Sequence, residues 1–259
     1  MPPEGNARPA AVRRAILLGA SNLALGLQLV ACRLLGVGGG PWEILASLGR
    51  GRSYVDWSRY LFVRGLPGIE RCALWQELDR RPPLPAVALV TDVGSDLLYG
   101  HPVERIAAAV ESCLDRLVAR RAEVVLARLP LARLATLSPL AYGAARRLLY
   151  PGRAVDFRAV LDGADQLDAA LVRLGEARSV RLVAPPAAWY GVDPIHLRRR
   201  ARREAWEELL RFPSLPPATA TPRVRLPLVS PAEWRLFGRA RRAAQPAARF
   251  ADGSTLALY

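Results

Sequence analysis

The stretch "AILLGASNLALGL", residues 15–27, decides how this chain begins its fold. Four apolar residues lead into Gly19-Ala20-Ser21-Asn22, and an amphipathic run follows. Three interpretations are open at this point. Ser21 caps a helix, or the apolar run is the core of a secretion signal, or Ser21 is a nucleophile at the carboxyl end of a buried strand. The rest of the chain has to decide among them.

Short apolar runs alternate with helical patterns from here to about residue 212. Strand patterns cover 15–20, 42–49, 86–94, 123–130 and 179–186, and helical patterns cover 23–35, 69–80, 102–120, 138–149, 162–175 and 197–210. Continuous apolar strands that alternate with helices are typical of a parallel sheet covered on both faces. The pattern therefore predicts a three-layer α/β/α sandwich around a five-stranded parallel sheet, with residues 54–63 helical or irregular.

The composition changes after Phe212, where a Pro-rich stretch begins. We therefore divide the chain into a catalytic domain, 1–212, and a Pro/Arg-rich C-terminal extension, 213–259. Within the extension, residues 233–244 are predicted to form a short basic helix. A hairpin is predicted around Asp252-Gly253, since Asp-Gly favours a tight turn.

The chain has 259 residues, of which 51% are hydrophobic, and a formal net charge of +14. Every cation other than the two histidines is arginine. The arginines are dispersed along the chain, so they are interpreted as solvated surface charge; nucleic acid or another polyanion stays an alternative partner.

Cys32, Cys72 and Cys113 are widely spaced and are expected in the core. We expect no cofactor, metal or membrane span, and the oligomeric state is left open.

The N-terminal region also carries features of an export signal. Arg13-Arg14 precede the apolar run, and "LVAC" at Leu29–Cys32 is similar to a bacterial lipoprotein cleavage site. Polar side chains interrupt the run, however, and it has the pattern of a strand, a turn and a helix. We therefore expect a cytoplasmic protein, with export as the alternative.

Polar residues follow four of the predicted strands. Ser21 follows the first, Gly51 the second, Ser95 and Asp96 the third, and Asp193 and His196 the last. The carboxyl ends of parallel strands share one edge of a sheet, so these residues are expected to lie together.

Serine, histidine and aspartate are the components of a nucleophilic acyl-transfer site. A serine hydroxyl needs a neighbouring base, and imidazole suits this task near neutral pH. Asp193 precedes His196 by three residues, which allows its carboxylate to orient the ring. Backbone N–H groups at Ser21 and Gly51 could stabilise an oxyanion.

Four short blocks carry a resemblance to a known family. "GASNL" at Gly19–Leu23, "GRGRS" at Gly49–Ser53, "GSDLL" at Gly94–Leu98 and "DPIH" at Asp193–His196 are similar, in this order, to the conserved blocks of the SGNH (GDSL-type) hydrolases. The resemblance spans about residues 10–212. It implies a flavodoxin-like sandwich and metal-independent hydrolysis of an ester or acyl group.

The resemblance also implies a role for each residue. Ser21 is the nucleophile and one oxyanion donor, Gly51 is the second donor, His196 is the base and Asp193 orients it. Two positions depart from the family pattern. Ala20 stands where an aspartate usually precedes the serine, and Ser95 stands where asparagine usually donates a side-chain hydrogen bond to the oxyanion. Asn22 or a backbone N–H is the alternative donor.

Other residues complete the prediction. Asn22, Asp96 and Trp189 are expected to line the substrate pocket, with Trp189 forming a wall for the acyl group. His101 is a rival base, interpreted more readily as a loop or pocket residue. Asp92 and Asp96 lack a histidine or glutamate at metal-ligand spacing. The expected substrate is a small ester or an acylated sugar, with a polyanion-binding protein that has lost catalysis as the alternative.

Overall fold

Parallel strands form the centre of the computed structural model, which describes residues 13–38, 40–60, 63–138, 143, 156–191, 193–218, 222, 224–227 and 229–259. The strands are β1 Arg13–Leu18, β2 Trp42–Ser47, β3 Ser58–Tyr60, β4 Arg64–Leu66, β5 Ala86–Val90, β6 Glu123–Ala127, β7 Arg181–Val183, β8 Glu233–Leu236, β9 Arg239–Arg242, β10 Ala248–Arg249 and β11 Thr255–Leu258. The helices are α1 Ser21–Leu35, α2 Leu74–Arg80, α3 Ser95–Leu98, α4 Val103–Ala119, α5 Leu131–Leu134, α6 Phe157–Ala177 and α7 Arg202–Leu209. Short 3₁₀ turns cover Ile69–Arg71, Ala187–Trp189 and Arg199–Ala201.

The central sheet has the strand order β10-β11-β2-β1-β5-β6-β7. The five predicted strands occupy consecutive positions from β2 to the edge strand β7, in the order expected of a flavodoxin-like fold, and all of them are parallel. The predicted fold class is therefore confirmed. The predicted strand count of five is wrong, because β11 adds to β2 in parallel and β10 pairs with β11 in an antiparallel hairpin.

Alternate side chains of each strand enter two separate apolar layers. Ile16 and Leu18 of β1 pack with α4 and α6, whereas Ala15 and Leu17 pack with α1 and α7. This is the period-two pattern of a strand that is buried on both faces. Burial of both faces explains why the sequences of the central strands are continuously apolar. Cys32, Cys72 and Cys113 are buried and free, as predicted.

The C-terminal region differs from its prediction in one element. Residues 233–244 were expected to be helical, but β8 and β9 form a hairpin instead. Its turn is Phe237-Gly238, with φ values of 48° and 78°. Two consecutive positive φ angles suit the twist of a tight hairpin, which outweighs the helical tendency of the arginines and alanines. The hairpin predicted around Asp252-Gly253 is confirmed as the β10–β11 connection.

The predicted extension, 213–259, contributes to both sheets. β10 and β11 extend the central sheet, while β8 and β9 complete a second sheet with the order β3-β4-β8-β9. Residues 54–63 thus include a strand, β3.

The helix predicted at 138–149 lies almost entirely outside the described residues. No helix in the described part of the chain is long and apolar enough to cross a membrane.

Helices α1 and α7 pack closely because Gly26 faces the ring of Trp206. A Cβ atom at position 26 would lie 2.2 Å from Trp206 Nε1, which is far inside van der Waals contact. We therefore expect Gly26→Ala to lower the free energy of unfolding by about 1–3 kcal/mol despite the better helix propensity of alanine. Urea denaturation measures the change. Gly38→Ala is the control, because nothing lies within 4 Å of a Cβ there, and an equal loss in both variants would contradict the packing argument.

Candidate functional site

Ser21 lies at the point where β1 passes into α1. It is the first residue of the helix, its side chain is buried, and it follows the carboxyl end of a central strand. The N-cap residue is Ala20, which has no side chain that could accept a hydrogen bond. The interpretation of Ser21 as a simple helix cap is therefore wrong.

Asp92 supplies the cap that Ala20 lacks. Its Oδ2 atom accepts hydrogen bonds from the backbone N–H of Ala20 at 2.8 Å and of Leu23 at 3.1 Å. A carboxylate at a helix N-terminus also interacts favourably with the helix dipole. The turn that carries Ser21 thus has a supporting carboxylate, contributed by the segment after β5 and not by the residue before the serine.

Two backbone donors at this helix start have no hydrogen-bond partner among the residues that the structure describes. Asp92 takes the N–H groups of Ala20 and Leu23. The N–H groups of Ser21 and Asn22 make no hydrogen bond within the described part of the chain. Free N–H groups in the first turn of a helix form a site for negative charge.

Asp193 and His196 form a close pair on the segment after β7. Asp193 Oδ2 lies 2.6 Å from His196 Nδ1, and Asp193 Oδ1 accepts the N–H of Ile195 at 2.8 Å. Burial opposes ionisation of this carboxyl, but the hydrogen bonds from the His196 ring and the Ile195 N–H outweigh it and hold the pKa of Asp193 below its usual value. An ionised carboxylate can only accept, so in the neutral form of the ring the proton lies on Nδ1 and Nε2 keeps its lone pair. This is the arrangement of a general base.

Asn22 joins this pair to the serine helix. Its Nδ2 donates to Asp92 Oδ1 at 2.8 Å and to the Ile195 carbonyl at 2.9 Å, while its Oδ1 accepts the Leu197 N–H at 2.8 Å. The residues before and after His196 are therefore both fixed to the residue after Ser21. Both hydrogens of the Asn22 side-chain amide are used, so the side chain of Asn22 cannot be the alternative oxyanion donor. Of the roles predicted for Asn22, lining a pocket remains: it lies on the wall of the apolar pocket described below.

Ser21 and His196 lie on the same edge of the sheet but are not hydrogen-bonded to each other. Within the described residues, the Ser21 hydroxyl makes no hydrogen bond to the imidazole ring. Such bonds are often long before substrate binds. The connection between the two residues runs through Asn22.

Gly51 lies on the segment after β2, as the sequence predicts. Its φ of 64° is in the left-handed region that favours glycine. Its carbonyl accepts a hydrogen bond from the Tyr99 hydroxyl, which fixes the orientation of the turn. The Gly51 N–H donates no hydrogen bond within the described residues.

Asp96 does not line the pocket, contrary to the prediction. It is fully buried and accepts hydrogen bonds from the Ser53 hydroxyl and from the Tyr54 N–H at 2.8 Å. Burial raises the pKa of this carboxyl, and the hydrogen bonds from Ser53 and Tyr54 oppose the rise. Asp96 therefore ties the segment after β5 to the turn that carries Gly51.

The rival base, His101, belongs to this second connection. Its Nε2 lies 3.9 Å from Asp96 Oδ1. It thus faces the buried carboxylate and not Asp193. Asp92 and Asp96 serve different loops, and no group of three metal-ligating side chains is found among the described residues.

An apolar pocket of about 110 Å³ opens beside the site. Ser95 and the chain neighbours of Ser21 and His196, Asn22 and Ile195, line part of it, and Trp189 lines it as well. Leucines, prolines and valines from the segments after β5, β6 and β7 form most of the rest. Ser95 is buried at the start of α3, and its hydroxyl makes no hydrogen bond to another described residue. Trp189 is held by a hydrogen bond from Nε1 to Glu204 at 3.1 Å.

Comparison with solved structures returns esterases. The chain is similar to the psychrotrophic esterase EstA from Pseudoalteromonas sp., with 13% identity and a TM-score of 0.47 over 76% of this chain and 93% of that chain. It is similar to the acetyl xylan esterase AlAXEase, with 12% identity and a TM-score of 0.46 over 76% and 97%. It is also similar to AlinE4, an SGNH-hydrolase family esterase, with 18% identity and a TM-score of 0.38 over 68% and 77%.

No family model and no curated protein sequence matches the chain. At the identities and TM-scores given above, the similarity to solved structures carries no argument about activity.

The role of Asp92 leads to a stability prediction. Asp92→Ala removes three hydrogen bonds at the start of α1, including the one from Asn22. We expect the free energy of unfolding to fall by about 2–4 kcal/mol, because a partly buried carboxylate that bridges two segments costs more to remove than an ordinary cap. Thermal and urea denaturation measure the loss.

Asp156→Ala is the matched control. Asp156 caps α6 through hydrogen bonds from the N–H groups of Arg158 and Ala159, but it is exposed. Its loss is expected to cost about 1 kcal/mol. Equal losses at both positions would show that Asp92 is an ordinary cap and does not connect the segment after β5 to the serine turn.

Proposed function

We propose that this chain is a metal-independent serine hydrolase that cleaves a carboxylic ester or an acetyl group through an acyl-Ser21 intermediate. The observation that carries the proposal is the Asp193–His196 pair, 2.6 Å apart, on a loop that Asn22 fixes to the helix beginning at Ser21. A buried serine at a helix N-terminus has little use for this arrangement unless the imidazole serves it as a base.

The reaction follows from the positions of these groups. The Ser21 hydroxyl attacks the ester carbonyl and transfers its proton to His196 Nε2, while Asp193 stabilises the imidazolium. The tetrahedral intermediate collapses when the imidazolium returns the proton to the leaving alcohol, which leaves an ester on Ser21. Water, deprotonated by the same imidazole, then releases the acid and restores the serine.

Four groups are proposed to stabilise the oxyanion. The N–H groups of Ser21 and Gly51 make no other hydrogen bond within the described residues, so they are available as donors. The Ser95 hydroxyl is the third candidate, on a shorter side chain than the asparagine of the family pattern. The backbone N–H of Asn22, which makes no hydrogen bond within the described residues, is a fourth donor at the same helix start. It offsets part of the oxyanion stabilisation that is lost because the Ser95 hydroxyl can rotate.

The apolar pocket is proposed to receive the acyl group. Its walls contain few polar atoms besides those next to the catalytic loops, so an aliphatic chain fits it better than a sugar does. An acylated sugar would then place its acyl group in the pocket and its sugar outside. Transfer of the acyl group to a sugar in place of water uses the same intermediate.

Reaction with a fluorophosphonate probe tests the serine without knowledge of the substrate. We expect the probe to form an adduct on Ser21, located by mass spectrometry of peptides. His196→Ala should slow labelling by about 10²–10⁴, the usual contribution of a general base, and Asp193→Asn should slow it as well. Ser21→Ala should abolish the adduct.

His101→Ala is the matched control, because it removes the other histidine of the chain. We expect its labelling rate to be close to that of the unmodified sequence. If folded protein gives no adduct, or if labelling depends on His101, the proposed triad is wrong. The alternative of a polyanion-binding protein without catalysis would then be favoured.

Trp189 gives a prediction about acyl preference. Trp189→Ala enlarges the pocket, so the ratio of kcat/KM values for longer over shorter p-nitrophenyl esters should rise by about tenfold. Trp189→Phe keeps most of the wall and should change the ratio much less. An unchanged ratio in the alanine variant, with folding verified by circular dichroism, would show that Trp189 does not contact the acyl group.

A further inference from the structure

The second sheet, formed by β3, β4, β8 and β9, has an apolar end. The turn between β8 and β9 places Phe237 at this end, and the Phe237 N–H donates to the Val63 carbonyl at 2.8 Å. The two residues therefore lie side by side. We call this end of the sheet, with Val63, Arg64, Phe237, Gly238 and Arg239, the tip.

The tip holds the most exposed large apolar side chain of the described residues. Phe237 is 74% exposed, compared with 37% for Val63 and 40% for nearby Trp57. The other exposed large apolar residues described, Leu29 and Val118, lie apart on α1 and α4. Exposed apolar groups that cluster at one place indicate a contact surface, whereas scattered ones do not.

The same sheet concentrates positive charge. The arginines that it exposes are Arg59, Arg64, Arg235, Arg239, Arg241 and Arg242. Within the described residues none of them forms an ion pair, whereas Arg14, Arg128 and Arg178 elsewhere are paired with carboxylates. The acidic residues of this region are Glu233 in β8 and Asp56 before β3. The positive charge is thus largely uncompensated.

The strand register places cations directly beside the apolar tip. Arg64 of β4 and Arg239 of β9 are both paired with Leu236, the residue before Phe237. A protruding phenylalanine flanked by guanidinium groups matches a surface with anionic groups outside and apolar material beneath. A bilayer that contains anionic lipids has these two layers.

Single-stranded nucleic acid is the competing partner, and it fits less well. Stacking of successive bases requires several free aromatic faces. Arg235 already lies over the Trp57 ring, 4.2 Å from its centre, and Phe237 is the most exposed aromatic ring among the side chains that the structure describes in this region. We propose that the tip binds the surface of an anionic lipid bilayer, with Phe237 and Val63 entering the acyl boundary and the neighbouring arginines binding lipid phosphates.

The base of the sheet is attached to the candidate site. The Ser53 N–H donates to the Ser58 hydroxyl of β3 at 3.2 Å, and the side chain of Leu66 in β4 packs over Gly49. The turn between Gly49 and Ser53 carries Gly51. An ester presented at a lipid surface is therefore the substrate class that this attachment favours, a statement that rests on the proposed function.

Vesicle sedimentation tests the proposal with the full chain. Vesicles of phosphatidylcholine alone are compared with vesicles containing about one-third phosphatidylglycerol, at low salt. We expect binding to the anionic vesicles only, with a loss of about 25-fold in the variant Arg239→Gln/Arg241→Gln, since each arginine near an anionic surface contributes about fivefold. Phe237→Ser should weaken binding by about tenfold.

Matched controls distinguish a specific contribution of this surface from the general effects of net charge and of exposed apolar side chains elsewhere. Arg173→Gln/Arg203→Gln removes the same charge from exposed positions on α6 and α7, and Val118→Ser removes an exposed apolar group from α4. Both should bind like the unmodified chain. Ser21→Ala should bind normally too, so failure of the proposed catalysis and failure of lipid binding can be distinguished.

Three results would overturn the proposal. The first is no binding to anionic vesicles by folded protein. The second is an equal loss in the tip variants and their controls. The third is tighter binding to a single-stranded oligonucleotide that Phe237→Ser abolishes while vesicle binding persists, which would assign the tip to nucleic acid.

Discussion

The hydrogen bonds around the Asp92 carboxylate are the constraint on which the candidate site depends. One oxygen holds the start of α1, and the other holds Asn22, which in turn fixes the backbone on both sides of His196. Three segments that are distant in sequence are thereby held in one arrangement. Asp92 itself has a φ of 62°, which aspartate tolerates better than most residues but still at some cost. Strained backbone of this kind persists where the surrounding contacts determine it.

A second buried carboxylate organises the other side of the site. Asp96 is fully buried and binds the Ser53 hydroxyl and the Tyr54 N–H, which positions the turn containing Gly51. The segment after β5 thus carries two aspartates, Asp92 and Asp96, that have different structural roles. Asp92 supports the turn with Ser21 and the loop with His196, and Asp96 supports the turn with the proposed oxyanion donor. Ser95 lies between them, at the edge of the apolar pocket.

The C-terminal region shows how a segment distant from the site contributes to its surroundings. β11 continues the central sheet beyond β2, and the fully buried Arg52 donates to the carbonyl of Leu48 at 3.3 Å and to that of Tyr259. β8 and β9 add to the strands that follow the Gly51 turn. The exposed Phe237 and the exposed arginines of this second sheet are therefore joined to the same edge of the molecule that holds the candidate site.

The sequence by itself determined the alternation of strands and helices, because strands buried on both faces must be continuously apolar. It also determined which polar residues follow the strands, since Ser21, Gly51, Ser95 and the Asp193–His196 pair stand at the ends of apolar runs. Only the tertiary structure decided what Asp92, Asn22 and Asp96 do, because their partners lie between 42 and 175 residues away in the chain. The hairpin at Phe237-Gly238 and the addition of β11 to β2 were likewise decided by long-range pairing. Local sequence patterns indicate burial and turns, whereas the hydrogen-bond partner of a buried polar group depends on the tertiary fold.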